Sequence, residues 1–472
     1  MALKVINLDT PTLGDRSYIA HDGKVAVVID PQRDIDRVEE ILDQEGVQLG
    51  AVIETHMHND YVSGGLVLAR KYDAQYIVSE MDPVNFNHFN VVDQQVVPVG
   101  TFALQAIHTP GHTYTHMSYA LLDFNQKAHG VFTGGSMLHG STGRPDLLGA
   151  DHAHELAGLQ HSSAHRLAEL LEDKVDIYPT HGFGSFCAAT ATTGESSTIG
   201  GEKKTNPALL LDKETYIAQT LAGLDTFPAY YKHMGPANHA GAGPIDLSEL
   251  NRMSTDEILT ALQRGSWVVD LRDRNSWTSG HIAGTLSFGL DGSMATYLGW
   301  LFPYEKELVL ISDKAEDISG AQRELVRIGI DRPHGSLVGK LSELSDLKKT
   351  KSVVFADLPA SINNPDVTVL DVRRNGEREE SHIVPSLHIP LHELQSRVSE
   401  LPTAGEIWVH CAGGYRAAAS LGIIEKSGRT PVLIDDSYSS ALLVKNLNIV
   451  TAHMEPGTSA GVEVSEELST KG

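Results

Sequence analysis

Cysteine is almost missing from this 472-residue chain. Only Cys187 and Cys411 occur, so no disulfide framework can staple the fold. Positive charge is also scarce: 37 Lys+Arg stand against 61 Asp+Glu, a net charge of −24. Such a surface argues against a nucleic-acid backbone or an anionic membrane as main partner. An anionic substrate would need local positive potential. No run approaches the roughly 18 consecutive apolar residues of a membrane helix. The opening MALKVINLDTPTLGDRSY has no apolar core of the kind a secretory signal carries. Together with the scarce cysteine, this predicts a cytoplasmic, reduced setting. The length suits about three domains of roughly 100–200 residues each. With 41% hydrophobic and 21% charged residues, wholesale disorder is excluded. Histidine, by contrast, is plentiful: 23 residues, many of them before position 182.

Apolar runs flanking Asp22-Gly23 predict a hairpin. Ile35, Val38, Ile41 and Leu42 follow at helical spacing. The run LGAVIETHMHND then ends in a polar cluster, so a buried strand delivers histidines at its C-terminal end, where α/β proteins usually place their sites. Strands over about 95–108 and AHGVFTGGSML follow, then a helix over roughly 151–172 and the run VDIYPTHGFG. Residues 185–243 are Gly-, Ser- and Pro-rich; they read as a lid-like segment and a linker ending near Pro244. Beyond it the chain repeats itself: Asp270/Asp371, Arg272/Arg373 and His281/His382 are each 101 residues apart. These are two copies of one α/β domain. Residues 456–472 are polar and acidic and read as a disordered tail.

The most specific motif is Thr55-His56-Met57-His58-Asn59-Asp60-Tyr61, joined by Gly111-His112-Thr113 and Thr180-His181-Gly182. Imidazoles with a carboxylate at strand ends suit zinc or non-haem iron. This pattern resembles the metallo-β-lactamase superfamily, with its H-x-H-x-D-H, GH, bridging Asp and last His. HTPGHT followed by FTGGSMLHGSTGRPDL is similar to the glyoxalase II and persulfide dioxygenase branch. The resemblance implies an αββα sandwich over residues 1–243 and one Fe(II) or Zn(II) per chain, with no organic cofactor. It assigns His56, His58 and His112 to the metal. Asp60, His181 and Tyr61 become ligands or their close support. Two positions depart from the pattern: the last motif His is Tyr61, and the bridging Asp is Gly135. A second metal is therefore not expected. If His58 replaces the missing carboxylate, the site becomes three-histidine, as in catalytic zinc. Oxygenation, hydrolysis and a degenerate or binding role all stay open. Asp146 reads as part of a turn. Cys187 reads as a buried thiol, with a sulfur relay as the alternative. Lys203, Lys204 and Asn206 form a polar cluster that could receive the carboxylates of a small thiol.

The second site centres on Cys411. Ile407-Trp408-Val409-His410 reads as a buried strand, and Ala412, Gly413, Gly414 and Tyr415 lead to Arg416 and a helix. Backbone N–H groups of such a loop, with the helix dipole, stabilise an anionic sulfur. Asp371-Val372-Arg373, Glu377 and His382-Ile383 make this segment similar to rhodanese, with Cys411 as nucleophile and Arg416 closing a C-x4-R loop. The resemblance implies rhodanese-like domains over 355–455 and, without the nucleophile, over 252–345, where Asp313 follows the corresponding strand. The whole resembles persulfide dioxygenase–rhodanese fusion proteins. That implies sulfane-sulfur chemistry on a low-molecular-weight thiol persulfide or thiosulfate. Alternatives are a glyoxalase-II-like thioester hydrolase and a non-catalytic persulfide carrier or sensor. Neither nucleic acid nor membrane is expected as partner, and a homo-oligomer is left open.

Overall fold

A computed structural model describes residues 3–182 and 184–452. The chain divides into two compact units, residues 1–349 and 350–472. The tail expected over 456–472 lies outside the described residues. No helix among the described residues is long and apolar enough to cross a membrane.

The first unit opens with two six-stranded sheets. Period-two alternation decides how they stack. In Val25–Ile29, Val27 and Ile29 point into the space between the sheets, while Ala26 and Val28 point outward. Ile53 of Gln48–Ile53 faces inward, and Val52 faces outward. The opposite sheet answers with Leu104, Ala106, Tyr119, Leu121 and Phe132. The two outer faces are equally apolar, so each must be covered. Helices Asp36–Glu45 and Gly65–Tyr72 cover one through Leu42, Leu66 and Leu68. Helices Ala150–Leu170 and Lys213–Ala222 cover the other through Ala164, Leu167 and Ile217. This is the αββα sandwich expected from the sequence.

Parallel pairing sets up one edge of the sandwich. Val25–Ile29 pairs with Gln48–Ile53, Ile29 opposite Ile53, so Asp30 and the motif after Ile53 emerge side by side. Ala128–Gly134 pairs with Asp176–Pro179, Gly134 opposite Pro179, so Gly135 and His181 emerge together.

Residues 185–243, expected as lid and linker, are largely helical: Ile199–Thr205, Pro207–Leu210, Lys213–Ala222 and Tyr231–Ala240. Local capping explains the first three. The side chains of Thr198, Asn206 and Asp212 each accept a backbone N–H at a helix start. The fourth keeps Pro236 in its interior and buries Tyr231, Met234 and Asn238. That burial is a tertiary gain which composition does not reveal.

A four-stranded parallel sheet completes the first unit, in the order Leu286–Ser287, Trp267–Asp270, Leu308–Ser312, Gly335–Val338. Helix Ala315–Arg327 ties it to the sandwich. Arg327 Nη2 donates to Asp34 at 2.6 Å and Arg323 to Asp36 at 2.7 Å, while Arg33 pairs with Asp331. The Arg327 carbonyl accepts the Val62 N–H at 2.7 Å, directly after the His56–Tyr61 turn.

The second unit is a five-stranded parallel sheet: Lys351–Val353, Thr430–Ile434, Glu406–His410, Val367–Asp371 and Leu387–His388. The 101-residue repeat reappears as repeated geometry. Arg272 Nη2 donates to Asp270 and to the Gly280 carbonyl, at 2.6 and 2.9 Å. Arg373 Nη2 donates to Asp371 and to the Ser381 carbonyl, at 2.8 and 2.7 Å.

Candidate functional sites

At the sandwich edge five buried imidazoles crowd together. His56 lies 4.1 Å from His58, 4.8 Å from His112, 5.0 Å from His116 and 5.3 Å from His181, centroid to centroid. Three groupings bring ligand atoms within 4.8 Å of one another: His56/His112/His181, His58/Asp60/His181 and Asp30/Glu54/His58. His58, expected with His56 and His112, turns towards two carboxylates. Its Nε2 is 3.2 Å from Asp30 and 3.4 Å from Glu54. Tyr61 stacks on that ring at 4.3 Å and donates its hydroxyl to the Asp30 backbone carbonyl, so it packs against the imidazole cluster with its oxygen already engaged. Asp60 meets His181 Nδ1 at 3.1 Å, as does Asp15.

Burial and crowding set the local protonation. Burial, then His181, pushes His112 down to about 3. Burial and the neighbouring imidazoles hold His56 and His116 well below the usual histidine range. His181 is different: burial alone would lower it, but Asp60 and Asp15 outweigh that and lift it to about 9.

Several supports escaped the sequence reading. Asp30 accepts the Thr55 N–H at 2.7 Å and the Thr55 hydroxyl at 2.8 Å, bracing the base of the motif. The Asn238 amide donates to the His58 and Tyr61 carbonyls, at 2.8 and 2.9 Å, and accepts the Ser63 N–H. The signal for Asp30 was legible, a carboxylate ending the buried run VAVVID. Asn238 lies 180 residues from His58 and gave no local signal. Asp146 pairs with the Arg144 guanidinium at 2.7 Å. Cys187 is buried, and burial followed by Asp60 pushes its thiol well above the usual range. The polar cluster expected at 203–206 is split: Lys203 pairs with Asp173 and Lys204 is exposed. Asn206 is buried, donating to the Leu138 and Ser141 carbonyls.

In the second unit, Cys411 directly follows the strand Glu406–His410 and precedes helix Tyr415–Lys426. Its Sγ accepts the Gly414 N–H at 3.1 Å. Gly414 has φ +89°, a left-handed conformation that glycine supplies without strain. Tyr438 N–H holds the Ala412 carbonyl at 2.9 Å, with the Arg373 guanidinium 3.7 Å over the Tyr438 ring. Arg416 is engaged by Glu377 in a bidentate pair at 2.5 and 2.7 Å. Burial opposes ionisation of Glu377, but Arg416 outweighs it and holds the carboxyl down to about 2. At the corresponding place in the first unit, Asp313 accepts the Leu341 N–H, and Ser312 donates to Asp317.

Residues 13–181 match the metallo-β-lactamase superfamily, and residues 354–441 match the rhodanese-like domain. A probable polyketide biosynthesis zinc-dependent hydrolase, BaeB, of Bacillus velezensis is 31% identical over 166 residues, 34% of this chain and 69% of that protein. The mitochondrial persulfide dioxygenase ETHE1 of Bos taurus is 28% identical over 214 residues, 44% of this chain and 74% of that protein. Among solved structures, a metallo-β-lactamase from Staphylococcus aureus superposes with a TM-score of 0.64 at 27% identity. It covers 72% of this chain and 100% of its own. BaeB is named as zinc-dependent, and the histidine cluster of this chain offers donors for a metal ion. The chain therefore belongs to the metallo-β-lactamase superfamily, here fused to a C-terminal rhodanese-like domain.

Proposed function

We propose that this protein is an enzyme of sulfane-sulfur metabolism. Cys411 carries the sulfur, and a mononuclear metal site centred on His56 and His112 processes a low-molecular-weight persulfide. The observation that carries the reading is the Cys411 loop. Its sulfur already accepts the Gly414 N–H at 3.1 Å at the start of a helix, an environment suited to a thiolate and to a terminal persulfide anion. The Cys411 thiolate attacks the outer sulfur of a donor. The donor S–S bond breaks, its electrons leave with sulfite or a thiolate, and Cys411–S–S⁻ forms. An acceptor thiolate then attacks the terminal sulfur and restores the Cys411 thiolate, a two-step exchange without net oxidation.

The Arg416 charge is largely spent on Glu377, so backbone N–H groups supply most of the anion stabilisation. The segment around Asp313, with an accepting carboxylate and no thiol, has nothing to sulfurate and serves architecture. The N-terminal site fits a metal on its donor set. His112 Nε2 is buried without a hydrogen-bond partner, which a coordinated ion would satisfy. A divalent ion held there supplies Lewis acidity towards a sulfur anion or a thioester carbonyl.

The absence of a carboxylate at Gly135 favours one second reading, metal-assisted thioester hydrolysis. Two assays separate them. Iron-reconstituted protein given glutathione persulfide should consume oxygen and form sulfite. Zinc-loaded protein turning over an acyl-glutathione without oxygen uptake would shift the first site to hydrolysis. Retention of thiosulfate–cyanide sulfurtransferase activity in Cys411→Ser would remove the rhodanese half of the proposal.

A further inference from the structure

Building on the metal reading of His56 and His112, we infer that His181, not His58, is the third ligand, and that Gly135 makes this arrangement available. The hydrogen bonds around the cluster settle which nitrogens carry lone pairs. The Thr55 hydroxyl gives its one proton to Asp30, so the His56 Nδ1 beside it must donate. His112 Nδ1 faces the Arg144 carbonyl at 2.8 Å and must also donate. His181 Nδ1 faces Asp15 and Asp60, both at 3.1 Å, and donates as well. With His181 deprotonated, as metal binding requires although Asp60 and Asp15 favour its protonated form, each Nε2 offers a lone pair, and the three share one buried space. Converging lone pairs repel one another unless a cation lies between them, either a metal ion or the proton of a His181–His56 hydrogen bond. The His56 and His181 Nε2 atoms are 3.3 Å apart. Bonds of about 2.0–2.1 Å in a tetrahedral site place ligand nitrogens about 3.3–3.4 Å apart. Each ring is also oriented from behind by an acceptor, as metal-binding histidines are.

His58 is excluded by its own packing. Its Nε2 lies between Asp30 and Glu54 and Tyr61 stacks on its face; the remaining Nδ1 is buried and unpartnered, but His58 groups with Asp60 and His181 and not with His56 and His112. His116 is excluded because its Nε2 already accepts the Gly135 N–H at 3.0 Å.

Gly135 does more than lack a carboxylate. The His112 ring lies in a slot between two glycines. A Cβ on Gly135 would fall 2.3 Å from His112 Cδ2, and one on Gly143 would fall 2.6 Å from His112 Nδ1. Any side chain at 135 must displace the ring. The missing side chain and the ring position are one feature, so an aspartate restored at 135 alone does not rebuild a two-histidine, one-carboxylate site.

The test is Co2+ binding to the metal-free full-length protein, read by stoichiometry, affinity and visible d–d absorption. None of these needs turnover. Wild type should bind one ion with the intense absorption of a tetrahedral site. His181→Asn should lose that spectrum and weaken binding more than 100-fold, whereas folded His58→Asn should keep spectrum and stoichiometry. Gly135→Ala removes no ligand, yet it should weaken binding by about 10–100-fold, the range seen when support of a ligand is disturbed. A wild-type spectrum in His181→Asn, or wild-type affinity in Gly135→Ala, overturns the inference even if His58→Asn fails to fold. An unbound wild type overturns it together with the metal reading. Metal binding without persulfide turnover leaves it standing and removes only the proposed activity.

Discussion

Asp34 offers the sharpest energetic test of how the sandwich holds its neighbouring sheet. Its carboxylate is fully buried and receives Arg327 at 2.6 Å, Arg37 at 2.8 Å and Arg323 at 3.4 Å. Asp34→Ala leaves the Arg327 guanidinium, 5% exposed, facing Glu324 alone. Removing one partner of a buried pair costs about 3–5 kcal/mol. The surviving Glu324 contact and the greater exposure of Arg37 and Arg323 place this case near 3 kcal/mol, by the same rule. Spread over a unit of 349 residues, that lowers the thermal midpoint by about 4 °C. Three of the four tryptophans, Trp267, Trp277 and Trp300, lie in this unit, so intrinsic fluorescence during urea or thermal unfolding reports it.

The sign of the pH dependence follows from the same contacts. Burial alone would raise the Asp34 pKa, but the arginines outweigh it and hold the carboxyl below its ordinary value. Its stabilisation is therefore complete above the unfolded value of about 3.9 and fades as pH falls through the lower folded value. The gap between wild type and Asp34→Ala should be constant from pH 7 to pH 5 and should narrow in acid. It should also survive 1 M salt, because a buried pair is weakly screened. A loss below about 1 kcal/mol at pH 7, on the scale of a surface pair, would refute this account.

Further predictions concern the sites. Cys411→Ser should abolish sulfurtransferase activity while leaving the unfolding midpoint of the second unit unchanged, measured by thiosulfate–cyanide assay and calorimetry. Glu377→Gln should destabilise that unit by about 1.5–3 kcal/mol, because it weakens a charge-assisted bidentate pair. The freed Arg416 should lower the KM for thiosulfate, and an unchanged KM would show that Arg416 does not face the donor. In the wild type, the Glu377 contribution is complete above about 4.5, the ordinary glutamate value, and is lost as pH falls towards 2. Asn238→Ala orphans the His58 and Tyr61 carbonyls. It should cost about 1–3 kcal/mol, and titration calorimetry should find Zn2+ binding weakened about tenfold.

Much of the architecture could be read from the chain itself. The continuous apolar runs VAVVID and GAVIETH announced buried strands, because a strand covered on both faces is apolar on both. The helices Asp36–Glu45 and Ala150–Leu170 followed from apolar spacing. The Asp-Arg repeat survives as nearly identical hydrogen bonds because each spans only two residues. The helices of segment 185–243 were not legible because they are held by single capping side chains and by tertiary burial, neither of which composition records.

The sequence by itself determined that histidines would end several strands and that Cys411 would sit in a glycine-rich turn before a helix. Both depend on neighbours within a few residues. Tertiary structure alone decided where each imidazole points. His58 faces Asp30 and Glu54, and His112 fills the place of a side chain at Gly135, contacts whose partners lie 28, 4 and 23 positions away. A spacing motif counts donors, but only packing in three dimensions sets which lone pairs meet.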